Sequence, residues 1–132
     1  MKILFYPPTR EVDLNGNASE LGRLAVLVAA GAGAHEAEDV SGDIAGEVAL
    51  TTVQVRAVPD SAVLLSADVA KRSLCIVGDL KRLGVLAANL RETAEMQDGG
   101  HLHVDHFPGH PYLAPGSISL VVNSPHGGMP GQ

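Results

Sequence analysis

Four of the chain's six histidines fall within ten residues, HLHVDHFPGH, positions 101–110. Imidazole and carboxylate groups ligate metals and carry protons near neutral pH. The first six letters read H-x-H-x-D-H, a string familiar from zinc hydrolases of the metallo-β-lactamase type. In a strand, alternate side chains share a face. His101, His103, Asp105 and Phe107 would then point one way, and Leu102, Val104 and His106 the other. Two histidines and a carboxylate on one face could hold a divalent ion weakly. The hydrolase reading fails on context, because that chemistry needs further ligands from later segments and only His110 and His126 follow. A chain of 132 residues is also too short for that fold's two-sheet sandwich. The expectation is no cofactor; the alternative is a metal-binding or metal-dependent protein, with a metal-dependent hydrolase as its enzymatic form, in which His101, His103 and Asp105 hold a weak divalent ion.

Other catalytic templates are incomplete. Ser61, Ser66, Ser117 and Ser119 lie outside any G-x-S-x-G, and neither G-x-G-x-x-G nor G-K-[ST] occurs. The single cysteine, Cys75, sits in the apolar run LCIV and reads as a small buried hydrophobe that cannot form an intramolecular disulfide. Glu92 and Glu95 read as a solvated helix face. The chain is therefore expected not to be an enzyme. Beside the histidines lies FPGHPYLAPGS, residues 107–117. Pro108, Pro111 and Pro115 fix its backbone, and so stiff a loop loses little entropy on binding. Tyr112 could be its aromatic anchor. The alternative is a rigid connector that docks Tyr112 and Leu113 onto its own domain. The expected partner surface comprises His101, His103, Asp105, His110 and Tyr112.

The elements that position these residues follow from a repeat. LNGNASELGRLAVLV, residues 14–28, aligns without gaps on IVGDLKRLGVLAANL, residues 76–90. Each reads as a strand end, a glycine turn and a helix, with Asn17 and Asp79 as N-caps and Glu20 completing a capping box. Leu21, Leu24, Ala25 and Val28 recur at helical spacing, as do Leu83, Leu86, Ala87 and Leu90. Gly31 to Gly33 would end the first helix and Asp98-Gly99-Gly100 the second. Strand-like runs cover 47–58, 62–67, 74–77, 101–107 and 118–123. Residues 31–46 read as a mobile loop and 124–132 as a disordered tail. The predicted fold is α+β: a mostly antiparallel sheet with two helices packed on one face, in a single domain over 1–123, built from a possible duplicated strand-turn-helix unit.

Composition narrows the partners. Hydrophobic residues make up 45% and aromatics 3%, so the core must be built from Leu, Val, Ala and Ile. The formal charge of −6 gives no electrostatic reason to bind nucleic acid. The longest apolar stretch, residues 24–34, is too short to span a bilayer, and no secretory leader is legible, so a cytoplasmic protein is expected. An exposed sheet edge could also pair two copies into a structural or regulatory homodimer.

The runs SLCIVGDLKRLGVLAANLRETA, residues 73–94, and GGHLHVDHFPGHPYLAPGSISLVV, residues 99–122, resemble a pattern in small bacterial proteins common in actinobacteria. Those proteins are grouped as immunity protein family 32 of polymorphic toxin systems. The most specific part is H-x-H-x-D-x-x-P-G-H-P-Y-L-A-P-G-S. The resemblance covers about the last half of the chain and implies a non-enzymatic binding protein that blocks a cognate toxin.

Overall fold

A computed structural model describes residues 1–40, 46–96 and 100–124. The element order is β1 (Lys2–Tyr6), β2 (Glu11–Asn15), α1 (Ala18–Ala30), β3 (Ala32–Glu36), β4 (Val48–Leu50) and β5 (Thr52–Ala57). Then follow β6 (Leu64–Asp68), β7 (Ser73–Gly78), α2 (Leu80–Ala94), β8 (Gly100–Val104) and β9 (Ser119–Ser124). The fold is α+β.

The expected single sheet is instead two mixed sheets, ordered β4-β1-β2-β9-β8 and β3-β5-β7-β6. Each holds one parallel pair at its centre, β2 with β9 and β5 with β7; the other pairings are antiparallel. These parallel pairs join the halves of the chain. The hairpin β1–β2 pairs with β8–β9 from the second half, and the hairpin β6–β7 pairs with β3–β5 from the first. No local signal announces such an exchange of partners, which is why the sequence reading merged the two sheets.

The repeat is structural. Adding 62 to each position of the β1–β2 ladder yields the β6–β7 ladder: Lys2↔Asn15 becomes Leu64↔Val77, and Tyr6↔Glu11 becomes Asp68↔Ser73. The same shift carries the buried stripe of α1, Leu21, Leu24, Ala25 and Val28, onto Leu83, Leu86, Ala87 and Leu90 of α2. It also carries Arg10 onto Arg72, two arginines held at φ of 55° and 50° in the hairpin turns. Positive φ is uncommon for a residue with a Cβ, so its recurrence at matched positions supports a common origin. Both side chains then do the same job. Arg10 Nη2 donates to Gly116 O at 3.1 Å, and Arg72 Nε donates to Ala49 O at 2.9 Å. Each ties a turn of one half to the segment leading into the last strand of the other.

Both N-caps are present. Asn17 Oδ1 accepts from Glu20 N at 2.8 Å while Glu20 Oε1 accepts from Asn17 N at 2.9 Å, which closes the capping box. Asp79 Oδ1 accepts from Arg82 N at 2.8 Å. Gly31 caps α1 in the left-handed conformation, φ 70°, its N–H bonded to Leu27 O and Val28 O. Helix α2 ends differently, at Glu95 in the right-handed conformation; Gly100 belongs to β8, and residues 98 and 99 lie outside the described residues. The two helices pack on each other and turn their buried stripes to a core shared with Ile3, Val12, Leu14, Val53, Leu65, Leu74, Ile76, Leu120 and Val122.

Part of the expected loop at 31–46 is strand. Ala32–Glu36 forms β3, paired with β5 from Ala32↔Arg56 to Glu36↔Thr52. Its sequence, AGAHE, carries neither β-branched nor aromatic residues, so only the tertiary pairing selects a strand. Residues 41–45 and the tail at 125–132 lie outside the described residues. Ser124, placed in the tail by the sequence reading, is the last residue of β9.

Candidate functional site

Residues 101–104 of the histidine stretch lie in β8, an edge strand of the five-stranded sheet that ends at Val104 and does not run on to Phe107 as expected; burial alternates through Asp105. His101, His103 and Asp105 are exposed, Leu102 is half-buried and Val104 is buried. Pairing with β9 sets His101 opposite Asn123 and His103 opposite Val121. His101 Nδ1 lies 2.7 Å from Asn123 Oδ1, and His103 Nε2 lies 2.9 Å from Asp105 Oδ2. The two imidazoles stand edge to face with centroids 6.4 Å apart. Each is therefore engaged with its own neighbour. Among the described residues, no group of three His, Cys, Asp or Glu side chains is arranged to hold a metal ion.

The outer face continues across the sheet in register. His103 faces Val121, Val121 faces Asp13, and Asp13 faces Leu4. One row over, Ser119 faces Glu11 and Glu11 faces Tyr6. Glu11 and Asp13 stand two apart on β2 and so share the outward face. A hydrogen bond shared with the Asp13 carboxyl, then burial and the Asp13 charge, push Glu11 above the ordinary glutamate range; His103 partly offsets this. Burial first, and then the charges of Asp13 and Glu47, push the Tyr6 phenol up. Asp13 Oδ1 and Glu47 Oε2 are shut off from solvent and have no hydrogen-bond partner among the described residues. Glu11, Asp13, Glu47 and Tyr6 were not singled out from the sequence. They lie in β1, β2 and the approach to β4, distant along the chain from the histidines, and only the exchanged β2–β9 pairing brings them to the same face.

The Pro-rich loop serves the fold. Tyr112 is only 6% exposed, and its hydroxyl accepts from Asn89 Nδ2 of α2 at 3.2 Å. Leu113 is buried and bridges to Val63. Backbone bonds from Val63 N to Tyr112 O and from Ala114 N to Val63 O, with Ile118 N to Leu65 O, lay the loop along β6. Tyr112 is thus no exposed anchor; its ring is committed to its own core, as in the connector alternative. Burial raises its phenol, against a smaller opposite effect from Asn89. His110 is half-buried, accepts at Nδ1 from Tyr112 N and Leu113 N, and packs its ring on Tyr112 and Phe107. Burial, then the nearby His106, depress it below the usual histidine value. A neutral imidazole is required to accept both N–H groups at Nδ1. Of the five expected surface residues, His101, His103 and Asp105 are displayed together, while His110 and Tyr112 brace the loop beside them.

Cys75, expected to be buried, is half-buried. It points outward from the four-stranded sheet and lines a shallow cavity of about 420 Å³ with Ala34, Gln54, Arg56 and Val77. The alternation of β7 explains this: Leu74 and Ile76 take the core face and Cys75 the other.

Residues 73–125 match the family model of immunity protein 32. The match runs from β7 through α2 and the histidine strand to the end of β9, and it bears out the resemblance read from the sequence over that segment. No curated protein and no solved structure matches the chain. Among the described residues, no helix is long and apolar enough to cross a membrane.

Proposed function

We propose that the chain is a non-enzymatic immunity protein that binds and neutralises a cognate bacterial toxin. The match of residues 73–125 to immunity protein 32 carries this reading. The binding surface is the outer face of the five-stranded sheet, centred on His101 and His103 of β8 and the adjoining Asp105, and extended by Glu11 and Asp13 of β2. His110 and Tyr112 contribute by holding the adjoining loop.

The partner's complementary surface is basic. The exposed Asp105 carboxylate and the half-buried carboxylates of Glu11 and Asp13 offer acceptors to an arginine or lysine of the partner. The chain's net charge of −6 favours the same encounter. The test is co-expression with the toxin-like product of an adjacent gene, scored by survival and pull-down. Wild type should protect, and Glu11→Lys combined with Asp13→Lys should not. A folded double variant that protects as well as wild type would exclude this surface. Finding no toxic neighbour would remove the immunity reading.

A further inference from the structure

Four strands end the two sheets: β4 and β8 in one, β3 and β6 in the other. An open edge presents unpaired N–H and C=O groups that recruit further strands unless guarded. Three of the four are occupied or charged. The loop at 112–118 lies along β6, Arg72 bonds the Ala49 carbonyl of β4, and β8 displays His101, His103 and the adjoining Asp105. Among the described residues, nothing lies along the open edge of β3. It contains no proline or lysine, and Ala32, Gly33, Ala34 and Glu36 are all exposed.

The direction of its backbone groups can be read from the ladder ends. Ala57 N donates to Gly31 O and Ala37 N donates to Thr51 O, so positions 31 and 37 bond toward β5. Antiparallel ladders alternate, so Gly33 and His35 bond toward β5 too. The N–H and C=O groups of Ala32, Ala34 and Glu36 therefore face the open edge, and none has a partner among the described residues.

We infer that β3 pairs antiparallel with β3 of a second copy, about a two-fold axis at Ala34, joining two four-stranded sheets into one of eight strands. The side chains fit a copy of the same chain. With Ala34 opposite Ala34 of the partner subunit, Glu36 stands opposite the partner's Ala32. Ala32 neighbours Arg56 within its own sheet. Glu36 and the partner's Arg56 are then on the same face, two strand spacings apart, about 9.6 Å between Cα atoms. Extended side chains span that gap across the small alanine. The axis makes the ion pair twice. Within a single copy Glu36 faces Thr52, and neither Glu36 nor Arg56 has an ion-pair partner among the described residues. This pairing uses the opposite sheet from the toxin-binding face and does not depend on the immunity reading.

Sedimentation equilibrium of the full chain should show a mass moving with concentration from 13.6 kDa toward twice that value. Glu36→Arg should weaken association at least tenfold by facing the partner's Arg56, and Arg56→Glu should do the same. The double variant should restore it, because the ion pair is re-formed with its signs exchanged. In a Cys75→Ala background, Ala34→Cys should cross-link two copies on mild oxidation, since directly opposed residues of such a pair lie about 5.5 Å apart at Cα, within disulfide range. Circular dichroism shows whether each variant is folded. A wild type that stays monomeric at all concentrations would overturn the proposal. So would a dimer indifferent to both charge reversals, or a folded Ala34→Cys protein that never cross-links.

Discussion

Position for position, Glu11 and Asp13 on the outer face of the five-stranded sheet correspond to Ser73 and Cys75 on the four-stranded one. Tyr6 corresponds to Asp68 and Asn15 to Val77. The ladders superpose residue for residue, and both inner faces are apolar. The outward residues, which the fold leaves free, have gone separate ways. One face has gathered carboxylates and histidines, including a pair whose proximity raises the Glu11 carboxyl. The other carries Ser66, Cys75, Gln54 and Ala34 in one row. A like-charge pair held together is a cost to folding. It is present on one of two matching ladders and absent from the other, a difference that the shared register does not require.

The largest expected effect tests whether the halves are equivalent where helix meets strand. Gly33, the second residue of β3, and Gly100, the first residue of β8, each lie in the first strand after the helix of their own half. A Cβ on Gly100 would lie 2.2 Å from the Thr93 carbonyl oxygen, a backbone atom that cannot yield without moving α2. A Cβ on Gly33 would meet Leu27 Cδ1 at 2.5 Å, a flexible side-chain end, but at φ of 120°. Gly100→Ala should cost about 3 kcal/mol, and Gly33→Ala about 1–2 kcal/mol through backbone strain. Urea midpoints of the two variants measure both; equal losses would mean that the two junctions are equally constrained.

The two outer faces should also separate in binding. Asp13→Lys, which places a cation before a basic partner, should weaken toxin binding by roughly tenfold or more. Gln54→Lys, on the opposite sheet's face, should leave it within twofold. Titration calorimetry against a catalytically inactive toxin decides, and equal losses at both positions would deny the faces separate roles.

Tyr112 lies between the two regions, since its loop runs along β6 and leads into β9. Tyr112→Phe keeps the ring and removes the hydroxyl that accepts from Asn89, so about 1 kcal/mol of stability should go. Toxin affinity of the folded variant should hold. A loss of affinity without a loss of stability would return Tyr112 to the interface.

Legibility in the sequence followed the range of the interactions. The helices, both N-caps and the in-and-out pattern of β8 were readable, because 3.6- and 2-residue periods and capping side chains act within a few residues. The α+β class followed from them. Strand β3 was missed because AGAHE has no strand preference of its own. The second sheet was missed because it exists only through the β2–β9 and β5–β7 crossings. Those same crossings hid Glu11 and Asp13: alone they are the polar positions of the alternating stretch EVDLN, and beside His103 and Asp105 they share a face. Tyr112 was the converse case, an aromatic in a Pro/Gly loop that reads equally as anchor or as ballast until its burial is known.

The smallest effect bears most directly on the cost of the acidic face. Glu11 has its proton affinity raised in the folded protein, chiefly through the hydrogen bond it shares with Asp13. A carboxyl raised on folding adds stability while it is protonated, and that contribution is lost as pH climbs through the raised value. Above that value Glu11 is ionised in both folded and unfolded chains, and only the folded chain holds it against Asp13. Glu11→Gln removes the repulsion and keeps the amide able to donate to Asp13. At neutral pH the variant should therefore be more stable, by a few tenths of a kcal/mol, because the site is partly solvent-exposed and screened. The gain should fade as pH falls below the raised value and vanish below the ordinary glutamate range of about 4.3, where wild type is protonated in both states. Thermal melts from pH 4 to pH 8 at low salt resolve the trend. Asp13→Asn should show the same sign, and Cys75→Ser, at the matching position on the other sheet, should show no pH-dependent gain. If Glu11→Gln is instead less stable at neutral pH, the carboxylates of β2 support the fold, and the binding face proposed above loses this argument.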